Sequence, residues 1–394
     1  MNRKLRVGCI LLAIFSLLFC TLALLPQPTQ AQIATATIPF PGTTPTSVAV
    51  TPNGAYAYVT MYVDPYAYDY NPTYGLVWVL STATNTLTTF FDGSSSTPVG
   101  SGGPMDVAIT PNGEYAYVSN FVSGTVSVIN TAMNKVTDTI TVGNQPSAVA
   151  ITPNGEYAYV ANYGAITVSV INTATNTVMT TINAGDQPSG VAITPNGEYA
   201  YVSNYYGVVA VINTSTNMVI ANITAGNGPE SVAITPNGEY VYVTNSNGAS
   251  GTVSVISTAT NTVTATITVG FAPSDVAIAP NGTYAYVTNG GGTSVSVINT
   301  ESNTVTGNIT VGYGPSGTAF TPNGKYAYVT NYYGTVSEIN TATNKVVAAS
   351  PAPTVPKFVV QLLIITIVVL VIIALSAVII SKKKMRKNQL VQHS

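Results

Sequence analysis

The tetrapeptide T-P-N-G recurs at Thr51–Gly54, Thr110–Gly113, Thr152–Gly155, Thr194–Gly197, Thr235–Gly238 and Thr321–Gly324, and Ala279–Gly282 is a seventh, altered copy. Successive copies lie 59, 42, 42, 41, 44 and 42 residues apart. A repeat of that length cannot bury its own apolar face, so the copies must stack on one another. The chain is 394 residues long, beyond the usual size of one domain, and a closed ring of repeats is the simplest way to reach that length.

One unit shows what is repeated. Ala148–Thr152 reads as a first strand, Pro153-Asn154-Gly155 as a hairpin turn and Tyr157–Val160 as a second strand. A variable loop, Asn162–Ala165, leads to a third strand at Thr167–Ile171. A turn over Asn172–Asn176 leads to a fourth at Thr177–Ile182. The strands alternate apolar with small or polar residues and are rich in Val, Ile, Thr and Tyr. No sustained helical period occurs between Gln32 and Ser350. The expected fold is all-β: a seven-bladed β-propeller of four-stranded antiparallel blades over residues 32–349. Two closures compete. Ala36-Thr37-Ile38 matches the fourth-strand segment Thr264–Ile267, so an N-terminal strand can complete the last blade, and this is favoured. The alternative is that Lys345–Ala349 completes its own blade.

The two ends of the chain carry most of its basic charge. Arg3, Lys4 and Arg6 precede an apolar run from Val7 to Leu25, Pro26 and the small residues Thr29 and Ala31, which reads as a cleavable signal peptide over 1–31. Ser350–Pro356 is a stiff proline-rich stalk (350–357). Phe358–Ile380 is an uncharged run long enough to span a bilayer as a helix, followed by a basic tail over 381–394. The expectation is a single-pass protein of the cell membrane, with the ring outside and the C-terminus in the cytoplasm. The stalk would leave after the third strand of blade 7 and turn the T-P-N-G face toward the membrane.

Between Gln32 and Pro356 there are three lysines and no arginine against all 14 acidic residues, a formal charge of −11. Such a surface repels phosphate backbones, and no nucleic-acid partner is expected. The same interval has no cysteine and no histidine. That removes disulfides, Cys/His zinc sites and Ser-His or Cys-His nucleophilic pairs from its chemistry. No cofactor is expected.

Tyr242–Asn245, Tyr286–Asn289 and Tyr328–Asn331 spell Y-V-T-N, with the variants Y-V-S-N at Tyr117 and Tyr201 and Y-V-A-N at Tyr159. The sequence resembles the YVTN-repeat β-propellers, in particular those of archaeal surface-layer and cell-surface proteins. The resemblance implies the fold and a place at a cell surface, and little about activity. Unit one departs from it, with Met61 in the Asn position.

A residue repeated in every blade is expected to be structural. The Y-V-T-N asparagine should bond backbone at the strand end, and the Glu after T-P-N-G should be solvated. Breaks in the repeat are the better guide. Unit one carries extra residues around Tyr62–Tyr74 and around Asp92–Gly103, which should share one rim. The candidate binding loop is Tyr62, Asp64, Tyr66, Tyr68, Asp69, Tyr70 and Tyr74, with Trp78 beside it, because flat apolar rings next to carboxylates suit glycan or protein recognition. Asp64, Asp69 and Asn71 also offer oxygen ligands of the kind Ca²⁺ takes, at a spacing that matches no known calcium loop. Asp106 and Asp275 share one repeat position; solvated loop ends are the favoured reading, and the alternative is a pair of carboxylates lining the mouth of the central channel. Asn213, Asn222, Asn281 and Asn308 head N-glycosylation sequons. The expected function is a non-enzymatic binding, adhesion or surface-layer role toward cell-surface proteins or envelope glycans. The competing reading is a propeller enzyme of lactonase, quinoprotein or glycosidase type acting outside the cell.

Overall fold

The computed structural model describes residues 37–40, 44–62, 76–91, 103–248 and 250–347. The signal segment, stalk, apolar run and basic tail lie outside the described residues, as do both insertions apart from their ends. No helix among the described residues is long and apolar enough to cross a membrane. The described strands form seven antiparallel sheets, six of them meanders of four consecutive strands and the seventh a meander of three completed by strands from both ends of the ring. Blade 3, for example, is Pro146–Ile151, Tyr157–Asn162, Thr167–Asn172 and Thr177–Asn183. The first strands of successive blades pack side by side around a central channel, and that of blade 7 packs on that of blade 1. The seven-bladed, four-stranded architecture read from the period is therefore the one observed.

The second strand supplies the core of each blade and the tie to the next. Its Y-x-Y-V pattern buries the second tyrosine completely, at Tyr58, Tyr117, Tyr159, Tyr201, Tyr242, Tyr286 and Tyr328. Each phenol donates a hydrogen bond to an asparagine in the third-to-fourth turn of the following blade. Tyr58 reaches Asn134, Tyr117 reaches Asn176, Tyr159 reaches Asn217, Tyr201 reaches Asn261 and Tyr242 reaches Asn303, at 2.6–2.8 Å. Tyr286 bonds Asn344 in the same way. Tyr328 of blade 7 closes the circle on Asn85 of blade 1 at 2.9 Å. The seven asparagines all have φ between 50° and 54°, a left-handed geometry their short amide tolerates. Burial pushes six of the phenols up to about 12 and Tyr328 higher still, so all remain neutral donors.

The T-P-N-G turns make a second closed circle on one face. Their glycines adopt φ of 67–77°, which the turn requires. A Cβ on each would lie 3.4–3.7 Å from the turn proline of the preceding blade, from Gly113 over Pro52 round to Gly54 over Pro322.

Blade 7 differs from both expected closures by combining them. Thr37–Pro39 pairs with the upper half of the third strand, Thr37 opposite Ser337 and Pro39 opposite Thr335. Lys345–Val346 pairs with the lower half, Val346 opposite Ile339 and Lys345 opposite Asn340. The junction falls where every other fourth strand carries a bulge, as between Val170 and Ile171 in blade 3. A three-residue N-terminal strand leaves the backbone of Ile339 and Asn340 uncovered, and the C-terminal segment turns back to cover it. The expected exit toward the T-P-N-G face is corrected accordingly. The chain climbs the outer edge of blade 7 as far as Val347, whose N–H bonds the Glu338 carbonyl at 2.7 Å.

The staple can be dissected at blade 4. Asn217→Gly keeps the left-handed turn and loses only the Tyr159 bond, so it should cost about 1 kcal/mol. Asn217→Ala also places a Cβ in the left-handed region and should cost roughly 1 kcal/mol more. Chemical denaturation of both variants checks the order. Equal costs would show that the turn geometry contributes nothing.

Candidate functional site

Each first strand has a proline at its start, or one residue in for blade 1, followed by two further residues at the face opposite the T-P-N-G turns. In chain order these are Pro45-Thr46-Ser47, Pro104-Met105-Asp106, Pro146-Ser147-Ala148, Pro188-Ser189-Gly190, Pro229-Glu230-Ser231, Pro273-Ser274-Asp275 and Pro315-Ser316-Gly317. The two residues after each proline, with Pro45, wall a funnel of about 620 Å³ at the channel mouth. In five blades the hydroxyl after the proline donates to the proline carbonyl of the next blade. Thr46 reaches Pro104, Ser147 reaches Pro188, Ser189 reaches Pro229, Ser274 reaches Pro315 and Ser316 reaches Pro45, at 2.8–3.2 Å.

Met105 and Glu230 break this hydroxyl chain, and at each break an aspartate makes the connection. Asp106 accepts from the Ser47 hydroxyl of blade 1 at 2.7 Å and from the Val149 N–H of blade 3 at 2.9 Å. Asp275 accepts from the Ser231 hydroxyl of blade 5 at 2.5 Å and from the Thr318 N–H of blade 7 at 2.6 Å. These two residues are therefore not the solvated loop ends favoured from the sequence; they line the channel mouth, as the alternative reading had it. Part of each faces the channel, yet the carboxylate sits deep between three blades, where backbone and hydroxyl donors converge on it. Burial pushes Asp275 up to about 6 and raises Asp106, against the pull of those donors.

Glu230 stands where five other blades have a hydroxyl. Burial pushes it up to about 7, the charge of Asp275 adds to the rise, and a hydrogen bond from Ser246 opposes it. Thr318 replaces the valine that every other first strand carries there, as at Val149 and Val276. It is 7% exposed, at a position whose valines belong to the apolar cores between blades, and its buried hydroxyl has no hydrogen-bond partner. Above the throat, Tyr62, Phe121 and Tyr332 form an aromatic collar. The Phe121 ring continues to Tyr163 and Tyr205 at centroid spacings of 6.2 and 6.3 Å, and the Tyr205 hydroxyl donates to Asn247 at 3.2 Å. Tyr332 stacks edge-on against Tyr333, and Tyr313 against Tyr333 in a tilted pair.

Of the candidate loop residues, Asp64, Tyr66, Tyr68, Asp69, Tyr70, Asn71 and Tyr74 lie outside the described residues. Tyr62 lines the funnel and lies against Gly103, so the near ends of the two insertions meet on one rim. Trp78 is corrected. It is a half-buried core residue on the third strand of blade 1, edge-on to Phe40 at 5.6 Å. Its position explains Met61. In most blades the Y-V-T-N asparagine is buried and its amide donates to two third-strand hydroxyls, as Asn162 does to Thr167 and Ser169 at 3.1 and 3.0 Å. Asn162 also accepts the Gly143 N–H at 3.1 Å, so close that a Cβ on Gly143 would lie 2.4 Å from the amide. Blade 1 replaces the Asn-Thr-Ser group as a whole with Met61, Leu76 and Trp78. In blade 4 only the hydroxyls are lost, to Val208 and Ala210, and the Asn204 amide donates to the Ala184 carbonyl instead. The asparagine thus bonds hydroxyls as much as backbone.

Asn222, Asn281 and Asn308 are exposed, whereas Asn213 is half-buried and caps its turn by accepting from the N–H groups of Ser215 and Thr216. Glu338 is a buried carboxyl that the sequence reading passed over. It replaces a third-strand valine and accepts from Asn85 at 2.6 Å, beside the closing Tyr328. Burial raises it as well.

Two outcomes follow from these contacts. Met61→Asn installs the residue native to six blades, but opposite Leu76 and Trp78 it has no hydroxyl partners and should cost about 2 kcal/mol in denaturant titration. Adding Leu76→Thr and Trp78→Ser should cost less than the summed single changes, and strict additivity would refute the coupling. The second outcome concerns pH. Glu230, Asp275, Asp106 and Glu338 all hold protons more tightly folded than unfolded, where they ionise near pH 4. Stability is then greatest at about pH 4 and falls as pH rises through 6 and 7. Calorimetric Tm should therefore be higher at pH 4.5 than at pH 8, with a shallower slope in Glu230→Gln. An opposite slope would contradict the burial of these groups.

The comparisons with known proteins agree on the architecture. Residues 28–179 match the family described as lactonase, 7-bladed β-propeller. Among solved structures, the hydrazine synthase of Kuenenia stuttgartiensis is similar in fold, with a TM-score of 0.66 and 23% identity over 80% of this chain and 99% of that one. At that identity the likeness is one of fold alone. No curated protein matches the chain. Residues 106–362, more than half of the chain, match the YNCE-like β-propeller model, and the chain belongs to the YNCE-like β-propeller family.

Proposed function

We propose that the protein is a non-catalytic binding propeller held at the outside of a cell membrane, with the funnel and its aromatic collar as the ligand face. The observation that carries this reading is the coincidence of irregularities at one end of the channel. The departures at Met105, Glu230 and Thr318, the near ends of both insertions and the rings of Tyr62, Phe121 and Tyr332 all meet there, whereas the opposite face repeats one turn seven times. Exposed aromatic rings above a wall of polar groups suit a glycan or a protein side chain. The absence of histidine, arginine and cysteine from residues 32–356 supports binding over catalysis. The placement outside the cell, the membrane anchor and the kinship with YVTN-repeat surface-layer proteins rest on the sequence patterns at the chain ends and in the repeats.

The full chain, reconstituted in detergent, should bind members of an envelope-glycan array. A double substitution, Tyr332→Ser with Tyr333→Ser, should weaken that binding by about tenfold, because stacking area is lost at exposed sites. An array profile unchanged by the double substitution would remove the funnel from the reading. Protease treatment of intact cells should cleave the ring and spare the basic tail if the anchoring is as proposed.

A second reading is favoured by the lactonase-family match and by Glu230, which titrates near neutrality in a funnel and has the pKa of a general base. Lactone hydrolysis by the full chain that disappears in Glu230→Gln would establish it in place of the first.

A further inference from the structure

The dipeptide Asn-Gly occurs ten times in the chain. It is a chemically fragile pair. The glycine nitrogen can attack the side-chain carbonyl carbon of the asparagine, and no Cβ on the glycine hinders the approach. The attack needs a glycine N–H free to give up its proton and a side-chain amide held within reach. The hydrogen bonds of each copy decide whether it can react.

Nine copies are protected. Seven form the T-P-N-G turns and the altered turn of blade 6. In all seven the glycine N–H donates to the carbonyl three residues before it, at 2.7–2.8 Å. The asparagine Oδ1 is folded into the same turn and accepts the N–H two residues on, at 2.9–3.1 Å. In the eighth, Asn289 is buried and the Gly290 N–H donates to the Ala272 carbonyl at 2.8 Å. In the ninth, after Asn227, Gly228 is buried and held at φ 69°, and its carbonyl accepts the Ser246 N–H at 2.8 Å. Attack by any of these nitrogens would need the local structure to open first.

Asn247-Gly248 is the tenth. It lies in the loop between the second and third strands of blade 5, and both residues are exposed. The Asn247 N–H donates to the Asn227 carbonyl at 3.0 Å, which anchors the asparagine. The Gly248 N–H has no hydrogen-bond partner among the described residues. A second observation concerns the electrophile. The Tyr205 hydroxyl of blade 4 donates to the Asn247 Oδ1 at 3.2 Å. A donor on that oxygen draws charge from the carbonyl carbon and supports the oxyanion that forms on attack.

We propose that Asn247 is a site of spontaneous covalent modification, converted to aspartate and isoaspartate through a cyclic imide with Gly248, and that the Tyr205 hydroxyl promotes the ring closure. The Gly248 nitrogen bonds to Cγ of Asn247 while the Cγ–Nδ2 bond breaks. The amide nitrogen leaves as ammonia, and the proton from the Gly248 nitrogen ends on it. Water then opens one of the two C–N bonds of the imide. One opening leaves the main chain as it was, with an aspartate side chain. The other routes the main chain through the side-chain carbonyl and adds a methylene to the loop. The net change is one water gained and one ammonia lost. Either product puts a carboxylate on the rim beside Tyr205, where a neutral amide stood. The inference does not depend on what the funnel binds.

The test is to hold the full chain, folded in detergent at pH 8, and to sample it over weeks. Peptide mass spectrometry follows deamidation at each asparagine, and an isoaspartyl assay reads the rearranged product. Asn247 should convert at least about tenfold faster than any turn asparagine, because the turns must first break a hydrogen bond. In denaturant that advantage should disappear, which separates the effect of the fold from that of the dipeptide. Gly248→Ala should slow conversion by about tenfold or more, because a Cβ then hinders the nitrogen. Tyr205→Phe should slow it roughly threefold to tenfold in the folded chain and leave the denatured rate and the Tm unchanged, a pattern that a merely loosened loop would not give. A folded-state rate at Asn247 no faster than at the turns overturns the proposal. So does a rate in Gly248→Ala or Tyr205→Phe equal to or above that of the native chain.

Discussion

The ring depends on a phenol that leaves its own sheet. Seven buried tyrosines each cross to the next blade and bond an asparagine held in a left-handed turn, and the seventh returns to the first. A propeller must solve two problems at every joint. It must bury apolar surface between sheets, and it must fix the angle at which the sheets meet. The tyrosine ring meets the first need and its hydroxyl meets the second. The partner asparagine cannot drift, because its backbone geometry is itself the turn that joins the third strand to the fourth. Sequence, turn and inter-blade angle are thus fixed by one pair of residues repeated round the circle.

Where a blade abandons one part of this scheme, neighbouring residues change with it. Blade 1 exchanges a buried asparagine and two hydroxyls for methionine, leucine and tryptophan, and the N-terminal Phe40 packs on the result. At the channel, Met105 and Glu230 interrupt the hydroxyl chain, and Asp106 and Asp275 restore it. Such paired changes separate departures that keep the scaffold standing from those that do not serve it. Glu230 and Thr318 belong to the second group, since Asp275 already makes the bond that Glu230 gave up.

Much of this was legible in the sequence because the repeat is its own internal standard. Blade number, strand order, turn chemistry and the shared rim of the two insertions follow from the 42-residue period and the Asn-Gly turns. The closure was half legible: Ala36–Ile38 announces a fourth strand, but nothing in three residues says that they stop short of Ile339. Asp106 and Asp275 were misplaced because exposure at a strand end depends on how closely the neighbouring blades approach, which no local pattern encodes. Trp78 looked like part of a binding loop through proximity in sequence, whereas strand alternation turns it toward Phe40. Glu230 and Thr318 had a signal that went unused. Thr318 is the one exception in a column of valines, and Glu230 departs, with Met105, from a column of hydroxyls.

The divided fourth strand of blade 7 has a mechanical consequence. The chain enters the ring beside Ser337 and leaves it beside Glu338, so both leads attach at neighbouring points of one strand. A pull on the outgoing lead is met first by the two-residue pairing of Lys345 and Val346, arranged so that it peels one bond at a time. The clasp formed by Thr37–Pro39 lies on the other side of the junction and carries none of that load. Tension on the C-terminal lead can therefore strip a short segment from the rim while the circle of blades remains shut.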